Sequence, residues 1–178
     1  EYQARSERGL WRFVRSAEWN AVVRALAPAA GDSILELGCG SGFYARRLSA
    51  LGASVTAVDN SPAMLETLRG TDVKTVLSPA ETFSSAVVYD KVLAAGVLEF
   101  VYDVDSVFKR ARACVKAHGR FVILIPTSGV AGQVYKATHS CPVYVRSLSL
   151  YIEAARRCGF TLMTTCKATP LSLVLEFQ

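Results

Sequence analysis

The chain has 178 residues, of which 51% are hydrophobic, enough for one well-buried domain and too few for two ordinary ones. Its formal charge of +5 comes from basic residues spread along the sequence, which reads as a solvated surface and argues against a nucleic-acid footprint. Five cysteines without a C-x-x-C pair indicate neither a disulfide framework nor a zinc site, and no stretch approaches the roughly eighteen apolar residues of a membrane span.

These bounds predict a soluble, cytoplasmic monomer or homodimer with reduced thiols and no metal. Helical spacing of Leu10, Phe13, Val14, Ala17, Val22 and Leu26 predicts a helix over 6–26, stopped by Pro28 and Gly31. Residues 1–30 then form a helical cap ahead of the first strand. The apolar run Ile34-Leu35-Glu36-Leu37 leads straight into Gly38-Cys39-Gly40-Ser41-Gly42 and a helix over 43–51. Glycines at alternate positions allow a positive φ and a close approach of backbone to a ligand, and the N–H groups opening the next helix favour an acceptor. The spacing G-x-G-x-G departs from the G-x-G-x-x-G of dinucleotide sites, which argues against a nicotinamide-dependent oxidoreductase.

A second strand, Ala53 to Val58, ends in Asp59, whose carboxylate is placed to accept both hydroxyls of a ribose. Ser61 then caps, and Pro62 opens, a helix running to about Arg69. Strands follow at 73–77 and 89–95. An amphipathic helix over 103–116 is ended by Ala117-His118-Gly119, and a strand over 120–125 is apolar throughout, as expected for one buried on both faces. The segment 127–146 has no clean period and is the expected substrate loop or lid. A helix over 147–158, stopped by Gly159, and strands at 160–165 and 171–177 close the chain. Alternating strands and helices of this kind give a doubly wound α/β sheet, mostly parallel, in one domain over 1–178.

At the glycine turn and the acidic strand end the sequence resembles a known family. Glu36-Leu37-Gly38-Cys39-Gly40-Ser41-Gly42 looks like the first motif of the class I S-adenosylmethionine (SAM) dependent methyltransferases, and Val58-Asp59-Asn60-Ser61-Pro62-Ala63-Met64-Leu65 like their acidic motif. The resemblance runs from about Ser33 to the C-terminus and implies a seven-stranded sheet with helices on both faces. It implies SAM as cofactor and S-adenosylhomocysteine (SAH) as product. Glu36, Gly38, Cys39, Gly40, Gly42, Asp59, Asn60 and Met64 become cofactor residues, with Ala80 and Glu81 at the adenine and Ala95 beside the methionine part. The cap, with Tyr2, Trp11 and Trp19, is then expected over cofactor or substrate.

The acceptor side is read from fewer residues. The stretch from Ala137-Thr138-His139 to Cys158-Gly159-Phe160 is similar to the substrate-loop region of small-molecule O-methyltransferases of the ubiquinone-biosynthesis type. Where many relatives read L-E-H-V after the fourth strand, this chain has Leu98-Glu99-Phe100-Val101, which argues against a metal or base there and against a catechol-type acceptor. Ala95-Gly96-Val97-Leu98 stands where enzymes that methylate nucleobase amines carry N-P-P-Y, which argues against a nucleic-acid base. A small-molecule acceptor methylated on oxygen, nitrogen or carbon is the primary reading. A non-catalytic SAM-binding subunit and an RNA-directed methyltransferase are the alternatives.

Candidate bases are His139, in the irregular segment, and Glu99, at the end of the fourth strand. His118 belongs to the opposite end of the sheet. Tyr135, Tyr144 and Arg146 are expected to line the pocket or orient an acidic substrate. If His139 is the base, His139→Ala depresses the methylation rate by roughly 10²- to 10⁴-fold and leaves SAM affinity within about twofold; steady-state kinetics beside calorimetry separates the two effects.

Overall fold

The computed structural model describes residues 10–129 and 141–178. The chain order is α1 (Leu10–Leu26), β1 (Ser33–Leu37), α2 (Phe43–Ala50), β2 (Ser54–Asp59), α3 (Pro62–Glu66), β3 (Lys74–Leu77), β4 (Tyr89–Ala95) and a single 3-10 turn (Leu98–Phe100). Then come α4 (Val104–Cys114), β5 (Val115–Pro126), α5 (Leu148–Arg157), β6 (Leu162–Thr169) and β7 (Ser172–Phe177). The seven strands form one sheet in the order β3-β2-β1-β4-β5-β7-β6, parallel from β3 to β5, with β7 antiparallel to both its neighbours.

Alternation along the strands sorts side chains into two cores. Leu35, Leu37, Val92, Ala94, Phe121, Ile123, Leu175 and Phe177 face α4 and α5. Ile34, Val55, Ala57, Leu93, Val122, Leu124 and Val174 face α1 and α2. Four aromatic rings, Phe108, Phe121, Phe160 and Phe177, centre the first core with centroids 5.2 to 6.5 Å apart. The doubly wound architecture is therefore the one the alternation of elements predicts. β1 lies between β2 and β4, so the chain reverses its direction of winding there, and in sheets of this kind ligands sit beyond the carboxyl strand ends at such a point.

α1 ends at Leu26 as expected, and other features differ from expectation for local reasons. Leu26 ends α1 because Ala27, at φ 45°, precedes Pro28, whose ring disfavours helical backbone before it. The helix after β2 is short: the Thr67 hydroxyl bonds the Met64 carbonyl at 2.6 Å and the Ser41 carbonyl at 3.0 Å, and the chain turns before reaching Arg69. Ser61 sits at its N-cap position without a capping bond from its hydroxyl, so that expectation is corrected. β5 begins at Val115, paired with Tyr89, so His118 lies within a strand and not in a turn. Gly119 makes this possible, since a Cβ there would stand 2.6 Å from the Asp90 carbonyl oxygen.

A polar lattice holds the amino ends of β1 and β4. Asp90 accepts from the Ser33 N–H at 3.0 Å and hydroxyl at 2.6 Å and from the Lys116 ammonium at 2.6 Å, while Lys91 pairs with Asp32. The Lys116 bond, then those from Ser33, holds the Asp90 carboxyl well below the usual range. Its stabilisation is complete above the unfolded value of about 3.9 and is lost as pH falls through the folded one. Asp90→Ala should cost about 1–3 kcal/mol at neutral pH and less in acid, as urea denaturation at several pH values would measure.

Candidate functional site

The site is built at the carboxyl ends of β1 and β2. Beyond Leu37 the N–H groups of Gly38 and Cys39 both donate to the Val58 carbonyl, at 2.8 and 2.9 Å, which binds the turn to β2. The glycines then serve different contacts. A Cβ on Gly38 would lie 2.2 Å from the Val97 side chain, and one on Gly42 2.3 Å from Leu68, so each marks a tight approach of another segment. Gly40, at φ 50°, has nothing within 4 Å of that position: its bare face opens outward.

Asp59 closes the turn from the side. Its Oδ2 accepts from the Gly40 N–H at 2.7 Å and its Oδ1 from the Ser61 N–H at 2.9 Å. An ionised carboxylate has about four acceptor positions, so each oxygen retains one for a hydroxyl donor. Glu36 lies on the α1 and α2 side of β1 and is 1% exposed. The Ala45 N–H, in the first turn of α2, bonds it, so this helix start is answered by a carboxyl of the chain itself and not left wholly free as expected. Burial raises the Glu36 carboxyl to about 8, with the Asp59 charge adding to the rise against the Ala45 bond. Its Oε2 is buried without a partner. Cys39 is buried too, and burial drives its thiol far above the ordinary value, which makes it packing and not a nucleophile.

The remaining expected cofactor positions line the same end of the sheet. Asn60 is exposed and Met64 half-buried just beyond β2. Ala80 is buried after β3, and the neighbouring Glu81 carbonyl accepts from Arg110 Nε at 3.2 Å. Ala95 ends β4, beside Gly96 at φ 68°. Trp19, from α1, packs on Phe43 and Tyr44 of α2 with centroids 6.5 and 6.0 Å away. Arg47 and Arg15 stack on the Phe43 ring at 3.9 and 5.0 Å.

On the β4 side Glu99 is 2% exposed. Its carbonyl accepts from the Tyr144 N–H at 2.7 Å, and the Tyr144 and Tyr102 rings meet edge to face at 5.7 Å. Arg146 was expected to line the pocket or orient a substrate, and that expectation is corrected. Its Nη1 donates to the Leu98 and Tyr144 carbonyls at 3.0 and 3.4 Å, and its Nη2 to Val101 and Tyr102 at 2.6 and 2.8 Å. With its terminal donors committed to backbone, the guanidinium is a staple between two loops. Tyr2, Tyr135 and His139 lie outside the described residues, as does the side chain of Trp11. Sequence reasoning missed Leu68 and Val97, which carry no local signal, since only folding brings them against the turn.

Residues 35–123 match the family model described as methyltransferase domain. The ubiquinone biosynthesis O-methyltransferase of Methylocella silvestris is 37% identical over 99 residues, covering 52% of this chain and 39% of the relative. That of Methylobacterium nodulans is 26% identical over 164 residues, covering 78% and 63%. The chain thus spans about half the length of the curated relatives it matches. Among solved structures, an S-adenosylmethionine dependent methyltransferase from Mesorhizobium loti superposes with a TM-score of 0.77 at 19% identity, over 90% of this chain and 97% of that one. DhpI in complex with SAH gives 0.77 at 21% identity, over 98% and 90%. These two likenesses bear on the fold. With half of its length inside the family model, this chain belongs to the methyltransferase domain family.

Proposed function

We propose that the chain is a SAM-dependent methyltransferase domain that delivers a methyl group to oxygen, nitrogen or carbon of a small-molecule acceptor. The observation that carries the reading is the join of Asp59 to the Gly40 turn. It sets two free acceptor positions beside a bare glycine face at the carboxyl ends of β1 and β2. The site fits SAM on its own terms: Asp59 for the ribose hydroxyls, Gly40 for close contact, and the orphaned Glu36 Oε2 for the ammonium of an amino-acid end.

Bound SAM supplies a methyl group already made electrophilic by its sulfonium. The chain's task is to position and to take a proton. Gly38, Cys39 and Gly42 hold the turn, Asn60, Met64, Ala80 and Glu81 surround the adenosine, and Ala95 limits the far side. Alignment of this kind supplies about 7 to 11 kcal/mol of a barrier. In this reading Glu99 and Tyr144, joined by the Tyr144 N–H to Glu99 carbonyl bond, serve the acceptor, with Glu99 or His139 as the proton acceptor and Tyr2 and Tyr135 as further acceptor-binding residues. The relatives named as ubiquinone biosynthesis O-methyltransferases favour oxygen as the accepting atom.

Parallel calorimetric titrations with SAM, SAH and NADH test the reading; it requires micromolar binding of the two adenosyl ligands, and binding of NADH alone overturns it. Asp59→Ala should weaken both by about 10- to 100-fold, the scale of lost hydrogen bonds to a charged group. The Glu36 carboxyl makes binding depend on pH. A ligand ammonium favours the ionised carboxylate, so a proton leaves on binding and affinity rises with pH up to about 8. Without ligand the sign is opposite: the raised folded value means that stability falls as pH climbs from the unfolded value, about 4.3, towards 8. Glu36→Gln should flatten both dependences, as calorimetry in buffers of different ionisation enthalpy and thermal melts across pH would read.

A further inference from the structure

The loop after β4 is shaped from outside. Among the described residues its 3-10 turn, Leu98–Phe100, makes two short-range backbone bonds, from the Phe100 N–H to the Val97 carbonyl at 2.9 Å and from the Val101 N–H to the Leu98 carbonyl at 3.4 Å. Turns of this kind have poor hydrogen-bond geometry, and here the Leu98 and Val101 side chains are buried in the core, so the carbonyls beside them need partners. Those partners come from the segment before α5. Arg146 answers the carbonyls of Leu98, Val101 and Tyr102, and the Tyr144 N–H answers that of Glu99.

Arg146 is in turn held from α5. The hydroxyl of Tyr151, a buried side chain of that helix, accepts from Arg146, and the Tyr144 ring centroid lies 4.9 Å from the guanidinium. Burial raises the Tyr151 phenol, the Arg146 bond and charge oppose the rise, and the Glu99 charge adds to it, so this hydroxyl stands within electrostatic reach of both. The Glu99 side chain folds back towards β4: its Oε1 would stand 3.8 Å from a Cβ on Gly96, the residue that follows the strand. A guanidinium presents its donors in a fixed planar fork and can answer several diverging carbonyls at once, whereas a lysine ammonium is a point charge on a flexible stem.

We infer that Arg146, braced by Tyr151 of α5, is a positioning residue: it sets the 3-10 turn so that the Glu99 carboxyl is held against the end of β4. This rests on the reading of the chain as a SAM-dependent methyltransferase in which Glu99 serves the acceptor. The helix that follows the irregular segment then governs where the acceptor-side carboxyl stands, and does so through main-chain carbonyls of the turn.

Three readouts on the same variants test this. Hydrogen exchange follows the Phe100, Val101 and Tyr144 amides, carbon NMR follows the Glu99 side-chain carboxyl, assigned by its absence in Glu99→Gln, and calorimetry with SAH follows the cofactor side. In Arg146→Met exchange at the three amides should quicken by about 10- to 100-fold, the scale of lost bonds to a charged group, and the Glu99 resonance should shift or split, with SAH affinity within about twofold of wild type. Arg146→Lys keeps the charge and loses the fork, so it should behave as Arg146→Met does. Tyr151→Phe removes only the brace and should give a smaller change of the same kind. Wild-type exchange and resonance in Arg146→Met, or full recovery in Arg146→Lys, overturn the inference. So does a loss of SAH affinity as large as the rise in exchange, which would mark Arg146 as a support of the whole domain. Should Arg146→Met fail to fold, Tyr151→Phe decides, and wild-type behaviour there overturns the inference. Failure of wild type to bind SAH overturns the SAM reading alone, because exchange and resonance still report on the turn, and the two failures are thereby told apart.

Discussion

The site depends on one carboxylate. Asp59 accepts from the backbone of Gly40 and of Ser61, and so ties the turn after β1 to the turn after β2. Without that bridge the two loops are joined near the turn by the Val58 carbonyl, which holds Gly38 and Cys39 at the strand end but not the outward face of Gly40. A carboxylate is the group for the task because two N–H donors leave it with acceptor positions to spare, whereas a carboxamide would surrender one oxygen to a nitrogen. The same side chain therefore shapes the turn and presents the binding edge. A preformed binding edge means that less ordering remains to be done when a ligand arrives.

Charge burial is the second constraint. Glu36 is placed where a carboxylate is costly, inside the α1 and α2 core, and responds by holding its proton near neutrality. Its neighbour Asp59 adds repulsion, and the Ala45 N–H only partly offsets this. Such an arrangement would be a liability in a part that only has to fold, since an orphaned oxygen in a buried carboxyl has no compensation. It becomes an asset where a cation is to be recognised, because the attraction between that cation and the ionised form is strongest where water is excluded.

Much of the fold was legible because strand and helix signals were locally self-consistent. The run Phe121 to Ile125 has no polar break, and in the structure it is buried on both faces of the sheet, as that pattern requires. The start of β5 was not legible: Lys116, Ala117 and His118 are exposed, and their strand state depends on the close pass of Gly119 by the Asp90 carbonyl. Of the site, the glycines and Asp59 were legible from spacing. Glu36 was legible as a motif residue, but its bond to Ala45 was not, since nothing in a linear pattern shows which helix start a buried carboxyl will meet. Arg146 misled for the complementary reason. A cation in an irregular segment reads as a ligand-binding group until folding brings four backbone carbonyls to it.

The Arg146 staple also explains how the loop after β4 is organised. The guanidinium grips carbonyls of Leu98, Val101 and Tyr102, and the Tyr144 N–H grips that of Glu99, so the loop after β4 is held by main-chain atoms. Main-chain contacts persist whatever side chains the loop carries. Within that loop Glu99 is buried and Tyr102 is 81% exposed. The cofactor side is set by backbone conformation at three glycines, and there substitution is constrained by the approach of Val97 and Leu68. The turn after β1 and the loop after β4 are thus fixed by different means: the first by the close fit of Val97 and Leu68 against glycines, the second by hydrogen bonds to its main-chain carbonyls.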